Sequence, residues 1–119
     1  MKNIAFLLPV GANIASLENA RQGFLAANQF LQDRGEAPRF SVQMLAATPQ
    51  VHLDGGRFTV HADAVLDEAR GVDICIVPPL TNTLPEAMQA NRPMIDWLVR
   101  HYKGGGEVAS LCLGAALPA

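Results

Sequence analysis

Short apolar runs cut off by proline constrain this chain more than any other feature. Ile4-Ala5-Phe6-Leu7-Leu8 is apolar throughout and stops at Pro9. Val72-Asp73-Ile74-Cys75-Ile76-Val77 is nearly so and stops at Pro78-Pro79. A strand with one wet face alternates apolar and polar residues. These runs do not alternate, so each is expected to be covered on both faces, as in a parallel sheet with helices on either side. Neither run is long enough to cross a membrane.

The intervening segments carry the helices. From Ser16 to Arg34 the apolar positions Leu17, Ala20, Phe24, Ala27 and Leu31 step by three or four, giving one buried stripe. Ser16 is the expected N-cap and Gly35 the expected stop. Phe40-Ser41-Val42-Gln43-Met44-Leu45 reads as a second strand, so a right-handed parallel crossover is predicted. Val51-x-Leu53 and Phe58-x-Val60-x-Ala62 alternate around Asp54-Gly55-Gly56, the signature of a hairpin. Asp63 is expected to cap a short helix over 65–69. Thr83-x-x-Glu86 with Pro85 in the first turn marks a capping box for a helix from Leu84 to Ala90. A second start at Asn91 leads through a stripe of Ile95, Leu98, Val99 and Tyr102 to Gly104-Gly105-Gly106. The expected fold is α/β: a doubly wound, mainly parallel sheet with an attached β-hairpin.

With 119 residues the chain can build one modest domain. Its net charge of -2 and lack of a Lys/Arg cluster give it no electrostatic footprint for nucleic acid. The two cysteines form no C-x-x-C pair, which excludes zinc-ribbon and thioredoxin-like readings. Cys75 reads as a small core residue. Met1-Lys2-Asn3 runs straight into the first strand without a signal-peptide pattern, so a cytoplasmic protein is expected.

The chemistry concentrates in Glu107-Val108-Ala109-Ser110-Leu111-Cys112-Leu113-Gly114-Ala115-Ala116. Ser110-x-Cys112-x-Gly114 is a variant of the nucleophile elbow, the sharp strand-to-helix turn that lifts one side chain out of a sheet. Small neighbours relieve crowding there, and a following helix N-terminus favours thiolate. The plainer alternative is a buried strand cysteine followed by a Gly-Ala run. In doubly wound sheets ligands sit at the carboxyl ends of the strands. Three segments should converge there: Pro9 to Ser16, Pro78 to Thr83, and Cys112 to Gly114.

In order and spacing these parts resemble the ThiJ/PfpI branch of the class I glutamine amidotransferase-like superfamily, which is flavodoxin-like in fold. They resemble more narrowly the N-terminal domain of AraC-type transcriptional regulators. The resemblance rests on Phe24-Leu25-Ala26-Ala27-Asn28, Leu53-Asp54-Gly55-Gly56-Arg57-Phe58-Thr59-Val60, Val72 to Pro78, and Ala109 to Ala115. It implies that residues 1–119 are the N-terminal part of such a domain. It also implies that Cys112 holds the nucleophile position. Glu18 could be the carboxylate partner, with Ser16 competing for the aligned place. The catalytic histidine would lie beyond Ala119; His52, His61 and His101 do not match it. Gly11, Pro79, Leu80, Leu113 and Gly114 would line the ligand site. One departure matters. Family enzymes place glycines after the strand that ends at Val77, whereas Pro79 has no N–H to offer an oxyanion.

The resemblance therefore implies an effector-sensing and dimerisation domain of an AraC-type regulator, weak or inactive as a catalyst. It would bind a small molecule, act as a homodimer, and reach DNA only through a C-terminal helix-turn-helix module outside this chain. No metal, cofactor or membrane is expected. The alternatives are a cysteine-dependent enzyme of glyoxalase, amidase or peptidase-like type using Cys112, and a cysteine redox sensor. Alone, residues 1–119 are expected to leave the last strand at an open sheet edge, and so not to form a stable monomer.

Overall fold

The run that opens the sequence becomes the centre of the sheet. A computed structural model describes residues 1–111; the segment 112–119, with Cys112, Leu113 and Gly114, lies outside the described residues. β1 (Lys2–Leu7) is followed by α1 (Ile14–Asp33) and β2 (Phe40–Ala46). A hairpin of β3 (Gln50–Leu53) and β4 (Phe58–His61) comes next, then a short β5 (Ala64–Val65) and a 3-10 turn at Leu66–Glu68. β6 (Ile74–Val77), α2 (Leu84–Ala90), α3 (Arg92–Lys103) and β7 (Glu107–Ser110) complete the described elements. The main sheet has the order β5-β2-β1-β6-β7, every neighbouring pair parallel, and the hairpin is a separate antiparallel pair. The expected doubly wound sheet with an attached hairpin is what forms.

Burial explains why the run from Ile4 to Leu8 is apolar throughout. Ile4, Phe6 and Leu8 point to the α1 side, where they meet Leu17, Met44, Val51, Leu53 and Ile76. Ala5 and Leu7 point to the α3 side, with Cys75, Leu66 and Met94. Successive residues of a strand face opposite ways, so a strand covered on both sides needs no polar residue. Phe24 anchors α1 by edge-on contacts with Phe6 at 5.8 Å and Phe40 at 5.0 Å between ring centroids. Asn28 ties the same helix to β2: its Nδ2 donates to Phe40 O, and its Oδ1 accepts from Arg39 N and Phe40 N.

Three local expectations are corrected. The N-cap of α1 is Asn13, whose Oδ1 accepts from Ser16 N at 3.1 Å, so the helix begins earlier than Ser16. Asp63 caps no helix. Its Oδ2 accepts from Met44 N at 2.7 Å while its own N–H donates to Met44 O, which extends the pairing at the β2 edge. The buried face of α3 is Met94, Trp97 and Leu98, whereas Val99 and Tyr102 are exposed. Asn91 is a break between two helices, and α3 packs on the sheet through Met94, Trp97 and Leu98. The capping box forms as expected, with Glu86 N donating to Thr83 Oγ1 and Thr83 N to Glu86 Oε2, both at 3.4 Å.

Candidate functional site at the strand ends

The strand order reverses between β1 and β6. β1 leads through α1 to β2 on one side; β6 leads through α2 and α3 to β7 on the other. The loops leaving β1 and β6 part at this point, which is where doubly wound sheets form their ligand crevice. Here the two loops are zipped together. Asn13 N donates to Pro79 O at 2.9 Å, and Thr81 N donates to Gly11 O at 2.7 Å, a two-bond antiparallel bridge around Ala12 and Leu80. The Thr81 hydroxyl donates to the same Gly11 carbonyl at 3.0 Å.

Of the sequence-predicted site residues, Gly11, Pro79 and Leu80 are therefore brought together. Gly11 owes its identity to this junction. Its φ is +89°, and a Cβ there would stand 2.5 Å from Asn82 Nδ2 and 2.6 Å from Asn82 Cγ. Asn82 Oδ1 is buried without a hydrogen-bond partner among the described residues. Pro79 contributes its carbonyl to the zipper. Leu80 keeps an N–H that makes no hydrogen bond among the described residues. β7 runs beside β6 up to Leu111, whose N–H donates to Val77 O at 2.8 Å. That register carries the chain to the carboxyl end of the sheet just before Cys112, which itself lies outside the described residues.

Glu18 stands apart from the zipped loops. Its carboxylate takes two bonds from the Arg21 guanidinium, at 2.7 and 2.8 Å, and one from Gln22 Nε2 at 2.9 Å. The Arg21 hydrogen bond is the main reason its carboxyl is held down at about 2, against an ordinary 4.5. Cys75 lies fully buried in β6, and burial pushes its thiol up to about 12. His101 stacks flat on Trp97 at 5.1 Å, and its Nε2 bonds Glu107 O at 3.0 Å, at the far end of the sheet. Glu107 O can only accept, so Nε2 carries the proton. His52 Nδ1 pairs with Thr59 Oγ1 on the hairpin. Among the described residues no three His, Cys, Asp or Glu side chains gather to hold a metal ion, and no helix is long and apolar enough to cross a membrane.

Two recesses flank the zipper. On the α3 side, Pro9, Val77, Leu80, Leu84, Met88 and Leu98 line an almost wholly apolar groove of about 310 Å³. On the α1 side, Ala12 to Ala15, Thr81 and the hairpin residues Leu53, Asp54 and Phe58 enclose about 340 Å³ of mixed character. Sequence reasoning missed the hairpin as a wall of the site. It also missed Asn91, which holds Val10 from 81 residues away, a separation no local pattern announces.

A doubly wound parallel α/β sheet with its crevice at the β1/β6 reversal is the flavodoxin-like class. Within that class the chain is similar in fold to solved structures of DJ-1/ThiJ/PfpI proteins. A candidate transcriptional regulator from Vibrio parahaemolyticus superposes with a TM-score of 0.71 at 17% identity, over 92% of this chain and 55% of that one. A DJ-1 superfamily protein from Salmonella typhimurium gives 0.66 at 22% identity, over 98% of this chain and 58% of that one. An AraC family transcriptional regulator from Pseudomonas putida gives 0.65 at 18% identity, over 97% of this chain and 58% of that one. The chain thus spans little more than half the length of these structures. No family model and no curated protein matches the sequence.

Proposed function

We propose that this chain is the front part of the effector-sensing domain of an AraC-type transcriptional regulator, weak or inactive as a catalyst. The observation that carries the reading is at the first helix. A cysteine enzyme of this fold needs a carboxylate beside its nucleophile, and the two candidate positions hold Ser16 and Glu18. Glu18 accepts three hydrogen bonds from Arg21 and Gln22, which hold its carboxyl low, at about 2; this suits an ion pair and not a proton shuttle. Pro79 supports the same reading by removing one backbone donor. Two of the structural neighbours carry regulator names. On this reading Gly11, Pro79, Leu80, Leu113 and Gly114 border a ligand site, the protein is a cytoplasmic homodimer, and DNA is read by a helix-turn-helix module beyond Ala119.

The test is DNA binding by the complete protein, followed by fluorescence anisotropy on DNA from upstream of its own gene. Saturable, salt-sensitive and sequence-selective binding is expected. Binding no tighter than to random DNA would overturn the regulator reading.

A second reading, a cysteine-dependent enzyme, draws on one observation. The Leu80 N–H makes no hydrogen bond among the described residues at the carboxyl end of β6, so Pro79 does not strip this loop of every donor. Turnover of glyoxal or amide substrates that disappears in Cys112→Ala would favour it.

A further inference from the structure

We propose that the recess between the hairpin tip and the zipped loops binds a small uncharged molecule with an apolar body and a hydroxyl group. This deepens the effector-sensing reading and rests on it. The recess stands at the strand-order reversal, uses residues from both loops, and holds about 340 Å³, within the range of small-molecule sites. Its walls are Ile14, Leu53 and Phe58. Leu53 and Phe58 face each other across the hairpin, and Phe58 is 45% exposed, an aromatic ring held out of the core at the cavity rim.

The polar groups in the recess specify the ligand's polar end. Asn13 Oδ1 is committed to Ser16 N, so the free end of its amide is Nδ2, a donor. Thr81 Oγ1 gives its proton to Gly11 O, so toward a ligand it can only accept. A hydroxyl donates and accepts at one atom and can satisfy both. Among the described residues Asp54 is the only charged one in the lining, and Arg57 faces its carboxylate at 3.6 Å and offsets its charge. A cation or an anion would gain little there and would lose its hydration.

Benzyl alcohol carries these features and serves as the probe, with benzoate and benzylamine as charged counterparts, in ¹H–¹⁵N NMR titrations of the complete protein. Saturable shifts are expected at Ala12 to Ala15, Leu53 to Phe58 and Thr81, with both charged analogues binding more weakly. Asn13→Asp keeps an equally good helix cap but replaces the donor with a carboxylate. It should weaken benzyl alcohol about tenfold without lowering the melting temperature. Phe58→Ala, an exposed position, should weaken it similarly. The proposal is overturned by the absence of saturable shifts, by unchanged affinity in Asn13→Asp, or by equal binding of either charged analogue. Shifts confined to Leu84, Met88 and Leu98 would overturn this recess and leave the regulator reading standing. Loss of selective DNA binding would overturn that reading and leave the recess.

Discussion

Asn91 holds Val10 as a neighbouring strand would. Its Oδ1 accepts from Val10 N at 2.7 Å and its Nδ2 donates to Val10 O at 3.1 Å. The same Nδ2 donates to Ala87 O at 2.9 Å, and the residue is 8% exposed. One side chain thus ties the loop leaving β1 to the break between α2 and α3. Because that loop is zipped to the one leaving β6, the floor of the strand-end site is one connected unit.

Asn91→Ala should accordingly be costly for its size. It leaves the Val10 N–H without its partner and the Val10 C=O with only a long bond from Asn82 Nδ2 at 3.5 Å, at about 1 to 3 kcal/mol. Urea unfolding would measure this, and a loss under about 0.5 kcal/mol would show that water replaces the bracket without penalty.

Gly11→Ala should destabilise the protein by about 2 kcal/mol or more. Its φ of +89° is strained for any L side chain, and the new methyl would displace Asn82. Thermal unfolding of the variant, with NMR shifts followed at Thr81 and Asn82, checks both parts. Shifts at Asn82 without a stability loss would mean that the loop has room to relax.

Cys75 predicts a pH dependence. Burial raises its thiol from an ordinary 9.0 to about 12, so the folded state holds the proton more tightly than the unfolded state. Its contribution is fully present below pH 9 and is lost as pH climbs from 9 toward 12. Cys75→Ala should flatten that alkaline decline. In the folded protein at neutral pH, iodoacetamide should label Cys112 in preference to Cys75, read by mass spectrometry; preferential labelling of Cys75 would sink the elbow reading.

Glu18 gives the opposite sign. Its carboxyl is lowered from 4.5 to about 2, chiefly by the Arg21 hydrogen bond, so its contribution is present above pH 4.5 and lost as pH falls toward 2. The pair is partly exposed, with 41% of the Glu18 side chain accessible, so solvent screening holds its worth to under about 1 kcal/mol. Glu18→Gln should therefore shift stability only slightly at pH 7 and, on the proposed regulator reading, leave selective DNA binding unchanged. Loss of that binding would give Glu18 a role in the site.

The strand and helix inventory was legible because it depends on local periodicity. The unbroken apolar runs reported strands covered on two faces, and Pro9 and Pro78 marked their ends. Thr83, Pro85 and Glu86 announced α2, because a capping box is a contact between residues three apart. The cap of α1 is misplaced. Ser16 is the expected cap, but the side chain that reaches a free N–H is that of Asn13, three residues earlier.

The sequence by itself determined a doubly wound α/β fold and the meeting of Gly11, Pro79 and Leu80 at its strand ends, because strand order and crossover handedness leave few arrangements. Tertiary structure alone decided that the hairpin walls the site through Leu53 and Phe58, that Glu18 turns to Arg21, and that Asn91 brackets Val10. Each of these depends on which side chain arrives within about 3 Å of a given polar group, or closes a cavity, once the sheet and helices have docked. Contacts across 81 residues of chain leave no periodic trace, since any residue that fits the space and the hydrogen bonds can make them.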